Sequence, residues 1–459
     1  MTSNSAPTAL TFTGVVHQNL FLPRGGHEIQ AVVTLDAESD DLGRGATPPP
    51  AAEVLVLDGS GSMDRRGKRA RAVEAGAAAI EQIRDGVSFA VVTGSHEASM
   101  VWPPSPELRL ADARTRTEAT QALQSLPASG GTAIGQWLRL ARELLSGHPH
   151  ALRHMTLVTD GRNEHETTEE LDAAIRSCVG VLRCDCRGVG VDFDPAELYN
   201  ISEKLQGTIA TVAEPAGLAA DFASIMVDSM RKVVELQLEL WTPAQATVRF
   251  VKQVAPTIAE LTPHGEKAAD GVARYLLGAW GTERRDYHIC IDIDPPSATL
   301  GDRTWPQAGV APVLAEKLVG RVSLAVRDPE PGDPDLIQSY EQAESDGIMF
   351  TTDRGRIRAL WTDDPVAPLI PNSRVALVTG RVGMAETLRA GVAAWRRGDT
   401  DEANRILRRV RDDAANADDI ALKNRMDKIY DEESGTFRLD ARDEVEIFAE
   451  TTETALLDR

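Results

Sequence analysis

Cysteine is scarce. Cys178, Cys184, Cys186 and Cys290 are the four in a chain of 459 residues, too few for a disulfide framework at this length. Three of them crowd into "CVGVLRCDC" (178–186). That stretch lacks the CxxC pairs and nearby histidines of a zinc site, so they read as small apolar residues at a helix–strand junction. Long apolar runs are missing as well. No uninterrupted stretch approaches the roughly 18–20 residues of a membrane span. The opening "MTSNSAPTAL" has neither a basic start nor an apolar h-region, so a cytoplasmic protein is expected. Positive charge is also in deficit. The 49 Lys and Arg against 70 Asp and Glu leave −21, which argues against nucleic acid and anionic membranes as partners. Residues 411–459 alone hold 15 Asp and Glu against 7 Lys and Arg, so part of the imbalance belongs to that end.

What is present alternates in period along the chain. With 42% hydrophobic residues the chain can bury several cores, and its length suits two to four domains. Two strand-like runs, "LTFTGVV" (10–16) and "HEIQAVVTLD" (27–36), flank "LPRGG" turn chemistry in segment 1–37. A polar, glycine-bearing stretch ending in three prolines reads as a linker over 38–52. From 53 to 232, apolar strands such as "EVLVLD", "VSFAVVTG" (87–94) and "RHMTLVTD" (153–160) alternate with amphipathic helices. Ile134, Trp137, Leu138, Ala141, Leu144 and Leu145 mark one such helix. Two further strands, "VLRCDCRGVGV" (181–191) and "GTIATVA" (207–213), and a closing helix over "AGLAADFASIMVDSMRKV" complete the set. This alternation predicts a mostly parallel, doubly wound α/β sheet.

Over 233–370 the period becomes two, as in "VVELQLELW" (233–241), "ATVRFVKQV" (246–254) and "DYHICIDID" (286–294). Such strands are antiparallel with one face on a core. Together with the opening strands they predict an antiparallel β-sandwich into which the α/β unit is inserted or which flanks it. Segment 371–430 is helical, with Gly398 in "RRGD" ending one helix and Asp399 or Thr400 capping the next. Segment 431–459 reads as an acidic, poorly apolar tail that orders on binding.

The chemistry gathers at predicted strand ends, where open α/β sheets bind ligands. The stretch "DGSGSM" (58–63) presents Asp58, Ser60 and Ser62 at alternate positions, the loop "PASGGTAIG" (127–135) presents Thr132, and "VTDGRN" presents Asp160. A hard divalent cation takes about six oxygens, at about 2.0–2.1 Å for Mg2+. Gly59 and Gly61 let the backbone curl close enough to aim such oxygens at one point. Few of these ligands are anionic, so an ion there keeps positive character and a position for an outside carboxylate.

In this order and on these elements, "DGSGS", the lone threonine and "TDG" resemble the metal-ion-dependent adhesion site of von Willebrand factor A (VWA) domains. The resemblance covers about 53–231. It implies a Rossmann-like fold and Mg2+ or Mn2+ (or Ca2+) held by Asp58, Ser60, Ser62, Thr132 and Asp160. It also implies recognition of a protein partner's Asp or Glu without catalysis. The wider arrangement is similar to intracellular actinobacterial VWA proteins, which implies bacterial signalling. Two other functions stand beside this reading: a regulatory subunit of an ATPase or Ser/Thr kinase system, and a metal-dependent hydrolase.

Competing signals are weaker. "GSMDRRGK" (61–68) misses the P-loop spacing by one residue and has Arg69 where Ser or Thr should follow the lysine. Ser60 and Ser62 lack the G-x-S-x-G elbow of a hydrolase, and the nine histidines show no pattern that nominates a general base. Arg65, Arg66, Lys68, Arg69 and Arg71 read as a solvated helix start, with attraction of an acidic partner as the sharper alternative. The "RGD" at 397–399 reads as a helix–helix turn. Thr451, Thr452 and Thr454 lie among acidic residues, where phosphorylation would create a site for a phosphothreonine reader.

Overall fold

The computed structural model describes residues 11–38, 50–61, 68–125, 130–189, 192–212, 234–268, 271–295, 313–327, 348–350, 353–416 and 420–439, with Asp443 and Ile447 beyond them. Ser62, Arg65, Arg66, the linker core 39–49, the expected closing helix over 216–233 and Thr451, Thr452 and Thr454 lie outside the described residues. Strands β1 (Thr11–Gln18), β2 (Phe21–Pro23) and β3 (Glu28–Glu38) open the chain, with β1 and β3 antiparallel. The chain then leaves for the α/β unit before returning to the same sheet.

That unit starts with β4 (Ala51–Asp58), buried from Ala52 onward because both faces are covered. Val54 and Val56 face one helical layer, and Leu55 and Leu57 face the other. The first layer holds α3 (Ile134–Ser146), α4 (Thr168–Cys178) and α5 (Pro195–Lys204). The second holds α1 (Lys68–Gln82) and α2 (Ala113–Leu123). The remaining strands are β5 (Ser88–Gly94), β6 (Ala98–Trp102), β7 (Arg109–Leu110), β8 (Leu152–Thr159), β9 (Arg183–Val189) and β10 (Ile209–Val212). Their order is β10-β9-β8-β4-β5-β6, with β7 also on β5. All pairs are parallel except those of β6 and β7. The chain moves from β4 to β5 on one side and later to β8 on the other. The gap between the ends of β4 and β8 is therefore the topological switch point, the crevice such sheets use for ligands.

At the opposite edge lies a feature that the sequence patterning did not reveal. Glu53 and His154 are register partners on β4 and β8. His154 Nδ1 lies 2.7 Å from Glu53 Oε2, and its Nε2 lies 2.8 Å from Asp185 Oδ2 on β9. All three side chains are buried. Burial works to lower the His154 pKa, but the Glu53 and Asp185 carboxylates override it and raise the value to about 9. For Asp185, burial is outweighed by Arg183 and His154, and its pKa falls well below the usual carboxylate range.

The sandwich is built from β11 (Val234–Trp241), β12 (Ala246–Ala255), β13 (Ala259–Glu260), β14 (Glu266–Lys267), β15 (Val272–Trp280), β16 (Arg284–Ile293), β17 (Val313–Arg327), β18 (Ile348–Phe350) and β19 (Arg356–Thr362). The opening strands divide between its sheets, ordered β13-β12-β16-β3-β1-β18 and β14-β15-β11-β17-β19-β2. The α/β unit is thus inserted between β3 and β11. Two pairs, β1–β18 and β19–β2, are parallel in an otherwise antiparallel sandwich. Its core takes alternate residues of facing strands, among them Ile29, Val33 and Leu35 against Leu236, Leu238, Leu240 and Trp361.

Helix α6 (Ser373–Arg396) covers the outer face of one sheet, packing Val375, Val378 and Val382 on Val32, Val254 and Ile258. Arg374 at its start reaches the buried Asp286 at 2.7 Å. The "RGD" is a helix–helix turn. Gly398 has φ +76° and Asp399 Oδ1 accepts the Glu402 N–H at 3.2 Å, starting α7 (Thr400–Asn416). Helix α8 (Ile420–Ile429) leads into the hairpin of β20 (Tyr430–Asp431) and β21 (Thr436–Phe437). The beginning of the expected acidic tail is therefore folded. Phe437, Leu439 and Ile447 are buried against Leu407 and Val410 of α7 and Met426 of α8, because apolar residues spaced too widely for a sequence pattern meet on one helical surface. Among the described residues no helix is long and apolar enough to cross a membrane.

Candidate metal centre

Asp58 is the last residue of β4 and has no exposed surface. Its Oδ1 accepts the Ser60 N–H at 2.8 Å, and its Oδ2 accepts the Thr159 hydroxyl at 2.5 Å. Gly59 N–H continues the β5 ladder with a 2.7 Å bond to Gly94 O, and the chain then turns. Gly61 N–H donates to Gly130 O at 3.0 Å, which joins the first loop to the one bearing Thr132. Asp160, at the end of β8, is likewise fully buried, and Ser60 and Thr132 are 3% and 4% exposed. Four of the five residues picked out from the sequence are thus buried polar groups on three loops at the switch point. The fifth, Ser62, is outside the described residues.

The electrostatics suit a hard cation. Burial raises the Asp58 pKa, hydrogen bonds from Ser60 and Thr159 oppose the rise, and the neighbouring Asp160 charge adds to it. Two carboxylates buried side by side call for a positive charge between them. Each Asp58 carboxylate oxygen keeps a further lone pair after its hydrogen bond, and the side chains of Ser60 and Thr132 offer hydroxyl oxygens beside it. Among the described residues no group of three or more His, Cys, Asp or Glu could hold a metal. The chemistry here is that of oxygen ligands for Mg2+, Mn2+ or Ca2+ rather than of a thiolate or imidazole cage. The four cysteines are all free and buried; burial raises the pKa of Cys178, Cys184 and Cys290, in keeping with an apolar role.

The support of Thr132 comes from residues outside the metal-site motif. Ala133, the N-cap of α3, makes no side-chain cap. Asn163 Oδ1 accepts the Ile134 N–H at 2.8 Å instead, and Glu166 Oε1 accepts the Gly135 N–H. Thr159 was also missed, although a hydroxyl beside Asp160 in the apolar run "TLVTD" was a usable signal. Of the basic group, Lys68, Arg69 and Arg71 fall in the first turn of α1. Gly94, beneath the site, has no room for a side chain, since a Cβ there would lie 2.2 Å from the Trp137 ring. That indole is anchored by a 2.7 Å bond from Nε1 to Ser95 O. Gly94→Ala should therefore destabilise the protein by about 1–3 kcal/mol, read as a lower urea midpoint.

Comparison with known proteins identifies the fold. Over 99% of this chain and 99% of its own, a von Willebrand factor type A protein from Catenulispora acidiphila, an actinobacterium, matches at 35% identity and a TM-score of 0.84. The chain belongs to the von Willebrand factor type A family. Residues 52–211, the VWA unit, match the von Willebrand factor type A domain. The ArnB paralog VWA2 from Sulfolobus acidocaldarius shares the fold over 97% of this chain and 98% of its own, at 13% identity and a TM-score of 0.51. A zinc-occupied MIDAS motif is found in a structure of proximal thread matrix protein 1 from the mussel byssus, 21% identical over 40% of this chain and 46% of its own, with a TM-score of 0.33. Among curated proteins, none matches.

Proposed function

We propose that the VWA unit is a metal-dependent protein-recognition module in which Asp58, Ser60, Ser62, Thr132 and Asp160 hold Mg2+ or Mn2+. The observation that carries this reading is the pairing of two fully buried carboxylates, Asp58 and Asp160, at neighbouring strand ends. The Asp160 charge adds to burial in raising the Asp58 pKa, and a cation bound between the two carboxylates offsets the cost of desolvating both. A divalent ion bound there supplies a Lewis-acidic position for an outside oxygen, and the class of partner is a protein offering an Asp or Glu. Asp58 and Asp160 bring the negative charge, and Ser60 and Thr132 bring neutral oxygens that leave the centre electropositive. The three loops are stitched by backbone bonds, so the oxygens are held before a ligand arrives and less ordering entropy is lost on binding.

The test has two steps. Calorimetric titration of the purified protein with MgCl2 and MnCl2 should give one site per chain. Immobilised protein should then retain a lysate protein in Mg2+ and release it with EDTA, with the retention abolished when carboxylates of the captured protein are amidated. Absence of a metal isotherm, or retention indifferent to both EDTA and amidation, would defeat the reading.

A further inference from the structure

We infer that the segment Asn163–Glu166 is a positioning strap for Thr132, with His165 as its clamp; the inference rests on the metal reading above. One residue grips the Thr132 backbone at both of its polar groups. His165 N–H donates to Thr132 O at 3.0 Å, and Thr132 N–H donates to His165 Nδ1 at 3.3 Å. That second bond requires an unprotonated Nδ1, so the ring carries its hydrogen on Nε2. On either side of His165, Asn163 and Glu166 take the N–H groups of Ile134 and Gly135. Four hydrogen bonds therefore join the loop that follows Asp160 to Thr132 and the start of α3. The strap is also held from behind, where Asn163 N–H donates to Glu197 Oε2 of α5 at 3.2 Å.

The glycines opposite the strap fit this arrangement. A Cβ on Gly131 would lie 1.8 Å from His165 Cε1, and one on Gly130 would lie 2.3 Å from His96 Nδ1. The loop thus lies directly under two imidazoles, and Gly130 additionally holds φ at +81°. The two glycines before Thr132 are what let the histidine clamp come within hydrogen-bond reach. His165 is exposed, so its ring contributes little to the core, and its contacts with Thr132 are what a replacement would remove. Asparagine places Oδ1 where histidine places Nδ1, one bond beyond Cγ, and can accept the same N–H.

The experiment compares wild type, His165→Ala and His165→Asn, first in EDTA and then with MnCl2. Without metal, amide hydrogen exchange at Thr132 should quicken about five- to tenfold in His165→Ala, as expected for losing one bond of about 1 kcal/mol, and stay within about twofold of wild type in His165→Asn. Mn2+ affinity should fall about 10–100-fold in His165→Ala, the usual effect of removing a group that orients a ligand, and recover in His165→Asn. Unchanged exchange in His165→Ala overturns the strap, and so does a His165→Asn variant as impaired as the alanine. If exchange follows the expectation but wild type takes up no Mn2+, the metal reading fails and the positioning role fails with it, while the hydrogen bonds themselves stand.

Discussion

Asp58→Asn is expected to lower Mg2+ or Mn2+ affinity by more than about a hundredfold, beyond the 10–100-fold typical of changes to groups behind the ligands. It should also raise the stability of the metal-free protein. Both effects have one origin. Asp58 and Asp160 are completely buried and close enough for the Asp160 charge to push the Asp58 pKa up. The metal-free fold therefore carries a carboxylate against its preference. Asparagine keeps the shape, its Oδ1 accepting the Ser60 N–H and its Nδ2 donating to the Thr159 hydroxyl, but it removes the repulsion along with the charge that holds the ion. Wild type at a hundredfold excess of metal over Kd should gain about 2.7 kcal/mol, and the variant at the same metal concentration less than about 0.4 kcal/mol. Calorimetry and thermal unfolding with and without MgCl2 read both effects. A variant that binds as tightly as wild type would remove Asp58 from the site.

His154→Leu is expected to destabilise the VWA unit by about 3–5 kcal/mol, because it leaves Glu53 and Asp185 as buried carboxylates deprived of their shared cation. The same cluster sets a pH dependence. The His154 pKa is raised from 6.5 to about 9 on folding. Its contribution is therefore fully present below about pH 6.5, declines as pH rises and is lost above about pH 9. A shift of that size corresponds to about 3 kcal/mol. On the acid side the sign reverses. The Asp185 pKa is depressed, so its contribution is present above the ordinary carboxylate range and is lost as pH falls through the depressed value. Urea unfolding at pH 6.5, 8 and 9.5 should show wild type weakening across the series, with the His154→Leu variant flat over the same window. A wild-type midpoint that does not move between pH 6.5 and 9.5 would show that His154 is not charged in the folded protein.

These two clusters sit at opposite edges of one sheet, and only one was legible beforehand. Asp58, Ser60 and Asp160 could be picked out because they follow apolar runs at turns, where a polar side chain needs a reason, and Thr132 because it stands alone in a Gly-rich loop before a helix. Glu53, His154 and Asp185 lie inside the runs "EVLVLD", "RHMTLVTD" and "VLRCDC". There a single charged residue at a strand's start looks like its solvated end. Their meaning appears only when β4, β8 and β9 are neighbours in register. The strap was hidden for a related reason: "NEHE" (163–166) is an ordinary polar loop until α3 presents N–H groups that its own N-cap leaves unserved.

Local chemistry thus marked an α/β unit beside a region of period-two strands, and where the "RGD" turn had to break. Hydrophobic period and cap residues act within a few residues, so a linear chain displays them. The fold alone decided which strands pair, that β4 and β8 flank the switch point, and that Gly130 and Gly131 lie under two histidines. It also decided that Phe437, Leu439 and Ile447 close a helical core instead of trailing into solvent. Those outcomes depend on contacts between residues tens to hundreds of positions apart, whose partners are set by packing and hydrogen-bond satisfaction of the whole chain.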